Sequence, residues 1–182
     1  MNKTDKRSER TEALIRSVFF QLLEEMPAYK ITVSELCRRA DINRGTFYLH
    51  YQDCYDLIET LTHEISEKFS PFIEAICQDR NSLSASLKLM LPILAEDKNI
   101  SRLIDSSDFC RQIITKHFQH IVLSNWKRLS DISDEQARLI YAYFCGGVFA
   151  AIHELGDKQP LTDEDYDSLC RVIIGGLNTF VQ

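Results

Sequence analysis

Ile31-Thr32-Val33-Ser34-Glu35-Leu36-Cys37-Arg38-Arg39-Ala40-Asp41-Ile42-Asn43-Arg44-Gly45-Thr46-Phe47-Tyr48-Leu49-His50-Tyr51 carries two short helical patterns separated by a turn signal. Thr32-Val33-Ser34-Glu35 reads as a capping box, in which the Thr hydroxyl and the Glu carboxylate reciprocally satisfy backbone N–H groups at a helix start. Val33, Leu36, Cys37 and Ala40 then fall at i, i+3, i+4 and i+7, one face of a short helix. Asp41-Ile42-Asn43 breaks the pattern. Asp accepts the left-handed backbone of a tight turn, and Asn43 is a good N-cap for a further short helix from Arg44 to about Tyr51.

Upstream, Leu14, Ile15, Val18, Phe19, Leu22 and Leu23 form a wide apolar stripe, and Pro27 predicts that this helix ends near Met26. The basic positions at its start (Lys3, Lys6, Arg7, Arg10) alternate with Asp5 and Glu9 and read, taken alone, as a solvated tail. Downstream, Asp53 caps a helix with Asp56 three residues on. That helix carries Leu57, Ile58, Leu61 and Ile65, is expected to run to about Asp79, and has Pro71 as an expected kink. Further helices are expected over 83–95, 98–106, 109–129, 134–155 and 163–180, with breaks at Asn81-Ser82, Asp97, Ser107-Asp108, 131–133 and 156–162. Period-two runs of β-branched residues are missing, so the chain reads as all-α.

The chain has 182 residues, 45% of them hydrophobic and 26% charged, enough for one domain or two small ones without metal or disulfide staples. Six Gly and four Pro exclude a collagen-like or low-complexity chain, and the apolar fraction excludes disorder. The formal net charge of −6 argues at first against a nucleic-acid partner. Its distribution does not: residues 1–51 hold nine Lys+Arg and seven Asp+Glu, net +2, and the acidity lies in 52–182. No secretory-type apolar stretch follows the charged start, and the longest uncharged stretch, Leu139 to His153, reads as a buried helix rather than a membrane span. Six widely spaced cysteines without a CxxC read as reduced thiols. A cytoplasmic protein with no membrane partner is the expectation.

Two short helices joined by a tight turn, preceded by a longer helix, make a helix-turn-helix. Ile42, Phe47 and Tyr51 supply a buried side to the second short helix, leaving Arg44, Thr46, Tyr48 and His50 on the other. Arg and His contact phosphate or base edges, Thr and Tyr hydroxyls donate to phosphate, and no residue from Arg44 to Tyr51 is acidic. Gly45 removes a side chain where the helix must approach the duplex or its partner helix.

On these residues, and above all on Gly45-Thr46-Phe47-Tyr48-Leu49-His50-Tyr51 followed by Asp53, the segment from about Glu9 to Leu61 closely resembles the DNA-binding domain of TetR/AcrR-family transcriptional regulators. The resemblance implies an N-terminal three-helix helix-turn-helix DNA-binding domain (1–51), followed by a helical-bundle effector-binding and dimerisation domain (52–182). By position, Thr32, Thr46, Tyr48 and His50 correspond to phosphate contacts. Asn43, Arg44 and Gly45 correspond to the start of the recognition helix in the major groove, with Arg44 the leading base reader. Asp41 stands where the family usually has a turn Gly. Cys54 stands where a backbone-contacting Lys is common, so affinity would lean on Lys3, Lys6, Arg7, Arg10 and Lys30.

Farther along, small residues four apart (Gly146/Ala150 and Gly147/Ala151) permit close helix approach, and Ile173, Gly176, Leu177 and Phe180 repeat the theme in the last helix. In the resembling family these two helices form the dimer interface, and a palindromic operator requires two reading heads. Intramolecular packing is the alternative. Phe72, Met90, Phe109 and Ile113, with His117, Tyr141 or Tyr143 as polar anchors, are candidate walls of a small-molecule effector cavity, within a wider apolar set that includes Ile76, Leu94 and Trp126. His117 and His120 at i, i+3, with Cys110 and Asp108 nearby in sequence, raise a metal-responsive alternative. No catalytic pairing, cofactor motif or distinctive metal-ligand spacing stands out, so an enzyme is not expected. The expected function is a homodimeric repressor released from a palindromic operator by a small molecule. The alternative of a different kind is a coactivator whose C-terminal domain binds a partner protein.

Overall fold

Capping side chains set most helix starts in the computed structural model, which describes residues 3–78, 85, 86, 88–90, 92, 93, 97–106, 108–129, 133–156 and 162–180. Helix α1 spans Lys3–Glu25, a 3-10 turn follows at Ala28–Lys30, and α2 spans Val33–Arg39. Thr32 Oγ1 accepts from Glu35 N at 3.2 Å, which forms the first half of the expected capping box. The reciprocal half is replaced, because the Glu35 carboxylate turns to Arg38 and Arg39. Asp41 takes φ 50°, the left-handed conformation that the turn requires.

Helix α3 runs Arg44–Tyr48, three residues shorter than expected; Leu49 caps it and Tyr51 lies beyond. Helix α4 covers Cys54–Gln78 with Pro71 inside it. Asp53 Oδ1 accepts from Tyr55 N at 2.7 Å and Asp56 N at 2.9 Å, while Asp56 Oδ2 accepts from Gln52 N at 2.7 Å, a reciprocal cap that fixes the α4 start. Helices α5 (Lys98–Ser106), α6 (Asp108–Leu129), α7 (Asp134–Gly156) and α8 (Asp163–Phe180) agree with the sequence reading to within a residue. Of the helix expected over 83–95, residues 85, 86, 88–90, 92 and 93 are helical, and the others lie outside the described residues. Among the described residues no strand forms. The fold is all-α.

The chain divides into two compact units. One runs to Thr62 and takes in Arg102–Arg111; the other comprises His63–Ser101 and the residues from Gln112 onward. In the first, α1 packs on α2 and α2 on α3. Ile15, Phe19, Leu22, Leu36, Phe47 and Leu57 are all essentially inaccessible to water. Burying such side chains contributes roughly 1.5–3 kcal/mol each and fixes the three helices against one another. Arg102 donates to Glu24 and the Phe109 ring meets Tyr55 edge-on at 5.9 Å, so a segment distant in sequence is part of this unit. In the second unit α7 packs on α8, and Tyr141 donates from its hydroxyl to the Thr115 carbonyl of α6 at 2.7 Å. Lys88 pairs with Asp167 of α8 at 2.6 Å.

Candidate nucleic-acid interface

A five-residue helix cannot stand alone, so α3 depends on its caps and its buried side. Asn43 Oδ1 accepts from Thr46 N at 2.8 Å and from the Thr46 hydroxyl at 3.1 Å. Phe47 is completely buried and Tyr51 nearly so, with their rings 5.9 Å apart. The Tyr51 hydroxyl accepts from Arg16 Nε at 3.0 Å and donates to Glu12 Oε1 at 3.1 Å, while Arg16 also pairs with Glu12 at 2.6 Å. This triad ties the chain just past α3 to α1. Burial pushes the Tyr51 hydroxyl up to about 12, against the pull of Arg16, so it remains a neutral donor.

The opposite side of α3 is open. Arg44, Gly45 and Tyr48 are exposed, as are Asn43 and Thr32, whereas Thr46 and His50 are half-buried. Thr32 uses a lone pair for the α2 cap, which leaves its hydroxyl proton for a phosphate oxygen. Thr46 differs, because its hydroxyl proton already serves Asn43 Oδ1. A Cβ on Gly45 would meet only Asn43 Oδ1 within 4 Å, at 3.2 Å; the partner helix is not what demands glycine here. Arg44 Nη2 donates to Ser34 Oγ of α2 at 2.6 Å.

Charge around α2 is largely balanced internally. Arg38 and Arg39 share Glu35, and Arg39 also holds Glu25 at the end of α1. The Arg38 and Arg39 guanidinium groups hold the Glu35 carboxyl at about 2. Lys6, Arg7, Arg10 and Lys30 are exposed. The basic run from Lys3 is not a tail, as it reads in isolation, but the first turns of α1; amphipathic stabilisation from Ile15 onward extends the helix back through it. Cys54 is buried at the α4 start, where burial pushes its thiol up to about 11, so it is a neutral packing residue.

Phe72, Met90, Ile113, His117 and Tyr141 fall in the second unit, whereas Phe109 falls in the first. Met90 and Tyr141 are buried, Phe72, Ile113 and His117 half-buried. Ser70 Oγ donates to the Ser66 carbonyl at 2.8 Å, so it accepts from His117 Nε2 at 3.0 Å. His117 and His120 lie in the second unit and Cys110 in the first. Among the described residues no group of three or more His, Cys, Asp or Glu could hold a metal ion.

On α7, Gly146, Gly147 and Ala150 are exposed, Ala151 is half-buried, and a Cβ on either glycine would meet none of the described residues within 4 Å. Packing against the described residues therefore does not demand glycine at either position. Leu139 (67% exposed), Tyr143 (76%) and Val172 of α8 (72%) add apolar surface, while Ile173 is buried within the chain and Gly176 half-buried. The side chains of Ile76, Leu94, Trp126, Leu177 and Phe180 lie outside the described residues. Sequence reasoning missed Ser34, the Glu12–Arg16–Tyr51 triad and the Glu25–Arg39 pair. Only the i, i+4 spacing of Glu12/Arg16 and of Glu35/Arg39 was there to be found.

A capped short helix with one buried aromatic side and one open Arg/Tyr side, set behind a tight turn on an all-helical chain, is a helix-turn-helix arrangement. No family model matches the chain. Over 59 residues it is 30% identical to the uncharacterized HTH-type transcriptional regulator YxbF of Bacillus subtilis (strain 168), a match covering 32% of this chain and 16% of that protein. Over 138 residues it is 26% identical to DhaS, the HTH-type dhaKLM operon transcriptional activator of Lactococcus lactis subsp. lactis (strain IL1403), covering 75% of this chain and 68% of that one. Among solved structures, a TetR transcriptional regulator from Streptococcus agalactiae 2603V superposes with a TM-score of 0.67 at 19% identity, covering 94% of this chain and 97% of that one. The fold of the chain is thus that of TetR/AcrR regulators, and both of these sequence relatives are HTH-type transcriptional regulators. Among the described residues no helix is long and apolar enough to cross a membrane.

Proposed function

We propose that this protein is a DNA-binding transcriptional regulator of TetR/AcrR type, with residues 1–51 as the reading head and 52–182 as the effector-binding and dimerisation domain. The observation that carries the reading is α3 itself: Phe47 and Tyr51 anchor it from behind, and Arg44 and Tyr48 stand exposed in front. Arg44 reads base edges from the major groove, Tyr48, His50 and Thr32 contact phosphate, and Asn43, Gly45 and Thr46 shape the helix start. Two copies join through α7 and α8, whose exposed Leu139, Tyr143, Gly146 and Ala150 follow i, i+4, i+7 and i+11 along one face. The homodimer binds a palindromic operator in the cytoplasm and represses transcription. A small molecule in the second unit releases it by favouring a spacing of the two recognition helices that no longer matches major grooves about 34 Å apart.

Genome-wide mapping of the sites bound by the purified protein tests the DNA-binding reading. Enrichment of a two-fold-symmetric sequence supports it, and the absence of any enriched duplex refutes it. Operator affinity that stays constant in the presence of a compound inducing the target gene would refute release by effector. A second reading is activation, including a coactivator whose second unit binds a partner protein, and it is favoured by the likeness to DhaS, a named activator. Transcription of genes beside the mapped sites, with and without the protein, separates the two.

A further inference from the structure

Arg44 begins a five-residue helix, is exposed, and carries a long side chain with many rotamers; on its own it would sweep a wide region in front of α3. It does not stand on its own, because Nη2 donates to Ser34 Oγ on α2 at 2.6 Å across ten positions of sequence. Cys37 lies one helical turn beyond Ser34, where burial raises its thiol and the nearby Arg44 charge pulls against that rise. The nearest acidic residue in the α2 sequence does not compete, because Arg38 and Arg39 occupy the Glu35 carboxylate.

We infer that Ser34 is a positioning residue for base reading, a neutral tether that fixes the direction of the Arg44 guanidinium without neutralising it. This rests on the DNA-binding reading above and deepens it. A carboxylate at position 34 would hold the arginine equally well but would cancel the charge and occupy two donors. A hydroxyl takes one of the five N–H groups and leaves the others to address a base edge that presents two acceptors in the major groove, O6 and N7 of guanine. The feature recognised through Arg44 is therefore a G·C pair in each half-site, and Ser34 contributes to how sharply it is distinguished from A·T.

The test uses the full-length protein and a randomised duplex DNA library, followed by anisotropy titrations on the selected duplex and on a copy with the Arg44-dependent G·C pair changed to A·T. The wild type is expected to enrich a guanine that Arg44→Ala no longer enriches. Ser34→Ala is expected to weaken binding to the G·C duplex by about fivefold, the scale of one hydrogen bond, with little change on the A·T copy. Ser34→Thr should restore discrimination, and Ser34→Ala added to Arg44→Ala should change nothing further. Wild-type discrimination in Ser34→Ala would overturn the inference while leaving DNA binding intact. Equal weakening on both duplexes, or further weakening in the Arg44→Ala background, would show a merely structural role and overturn it too. Full discrimination by Arg44→Ala removes the base-reading role, and failure of the wild type to select any duplex removes the DNA-binding reading itself.

Discussion

Arg16 Nε donates to the Tyr51 hydroxyl at 3.0 Å, joining α1 to the residue that closes the recognition segment across 35 positions of sequence. Glu12 completes the arrangement by accepting from both. The aromatic ring of Tyr51 is buried with Phe47, so its hydroxyl is the polar tip that must find partners, and Arg16 and Glu12 supply them.

Tyr51→Phe keeps the ring and removes the hydroxyl. It leaves Arg16 and Glu12 each short of a part-buried partner and is expected to cost about 1–3 kcal/mol. The urea midpoint of unfolding, with its slope unchanged, is the measurement.

Arg44→Ala and Tyr48→Ala remove exposed side chains outside the core, so stability should shift by no more than about 0.5 kcal/mol. Operator affinity should fall, by about 1–3 kcal/mol for Arg44→Ala if it reads a base pair. Anisotropy titration beside thermal unfolding separates the two effects; full affinity in both variants would contradict the groove assignment.

Asn43→Ala removes the oxygen that caps α3 and holds Thr46. A loss of about 1 kcal/mol in stability is expected, with DNA affinity falling further than stability alone explains, because α3 is only one and a half turns long. Asn43→Asp should retain the cap but bring a negative charge to the duplex, so it should recover stability without affinity.

Gly146→Ala and Gly147→Ala should each raise monomer stability by up to about 1 kcal/mol, since Ala is the better helix former and a Cβ meets none of the described residues within 4 Å. If α7 is the dimer face, the same changes should weaken association. Sedimentation equilibrium and thermal unfolding should then move in opposite directions; unchanged association would remove these glycines from the interface.

Acid should weaken the first unit in a defined window. The Glu35 carboxyl is held at about 2 by Arg38 and Arg39, and Arg39 also lowers Glu25. Folded-state values below the unfolded ones mean that the stabilisation is fully present above the unfolded carboxylate value, about 4.3, and is lost as pH falls toward 2. The groups are solvent-exposed, so salt should shrink the effect. Glu35→Gln should flatten stability over this window; an unchanged pH profile would contradict the pairing.

Much of this architecture was legible in the sequence because its signals are local. Thr32, Asp41, Asn43 and Asp53 act on backbone groups within three residues, so their roles follow from chain geometry alone. The apolar spacing of Ile15, Phe19 and Leu22 likewise carries its own period. The start of α1 was harder, because alternating charges from Lys3 to Arg10 look the same in a tail as in a solvated helical turn.

The sequence by itself determined an all-helical chain, the caps that start α2, α3 and α4, the open face of α3, and the likeness to TetR/AcrR regulators. Only the tertiary structure decided that Ser34 holds Arg44, that Tyr51 closes onto Glu12 and Arg16, that Arg102–Arg111 joins the first unit, and that a Cβ on Gly146 or Gly147 would meet none of the described residues within 4 Å. The physical reason is reach. A cap or a helical stripe is specified by the few residues around it, whereas a hydrogen bond across ten, 35 or 78 positions depends on how buried faces bring the helices together.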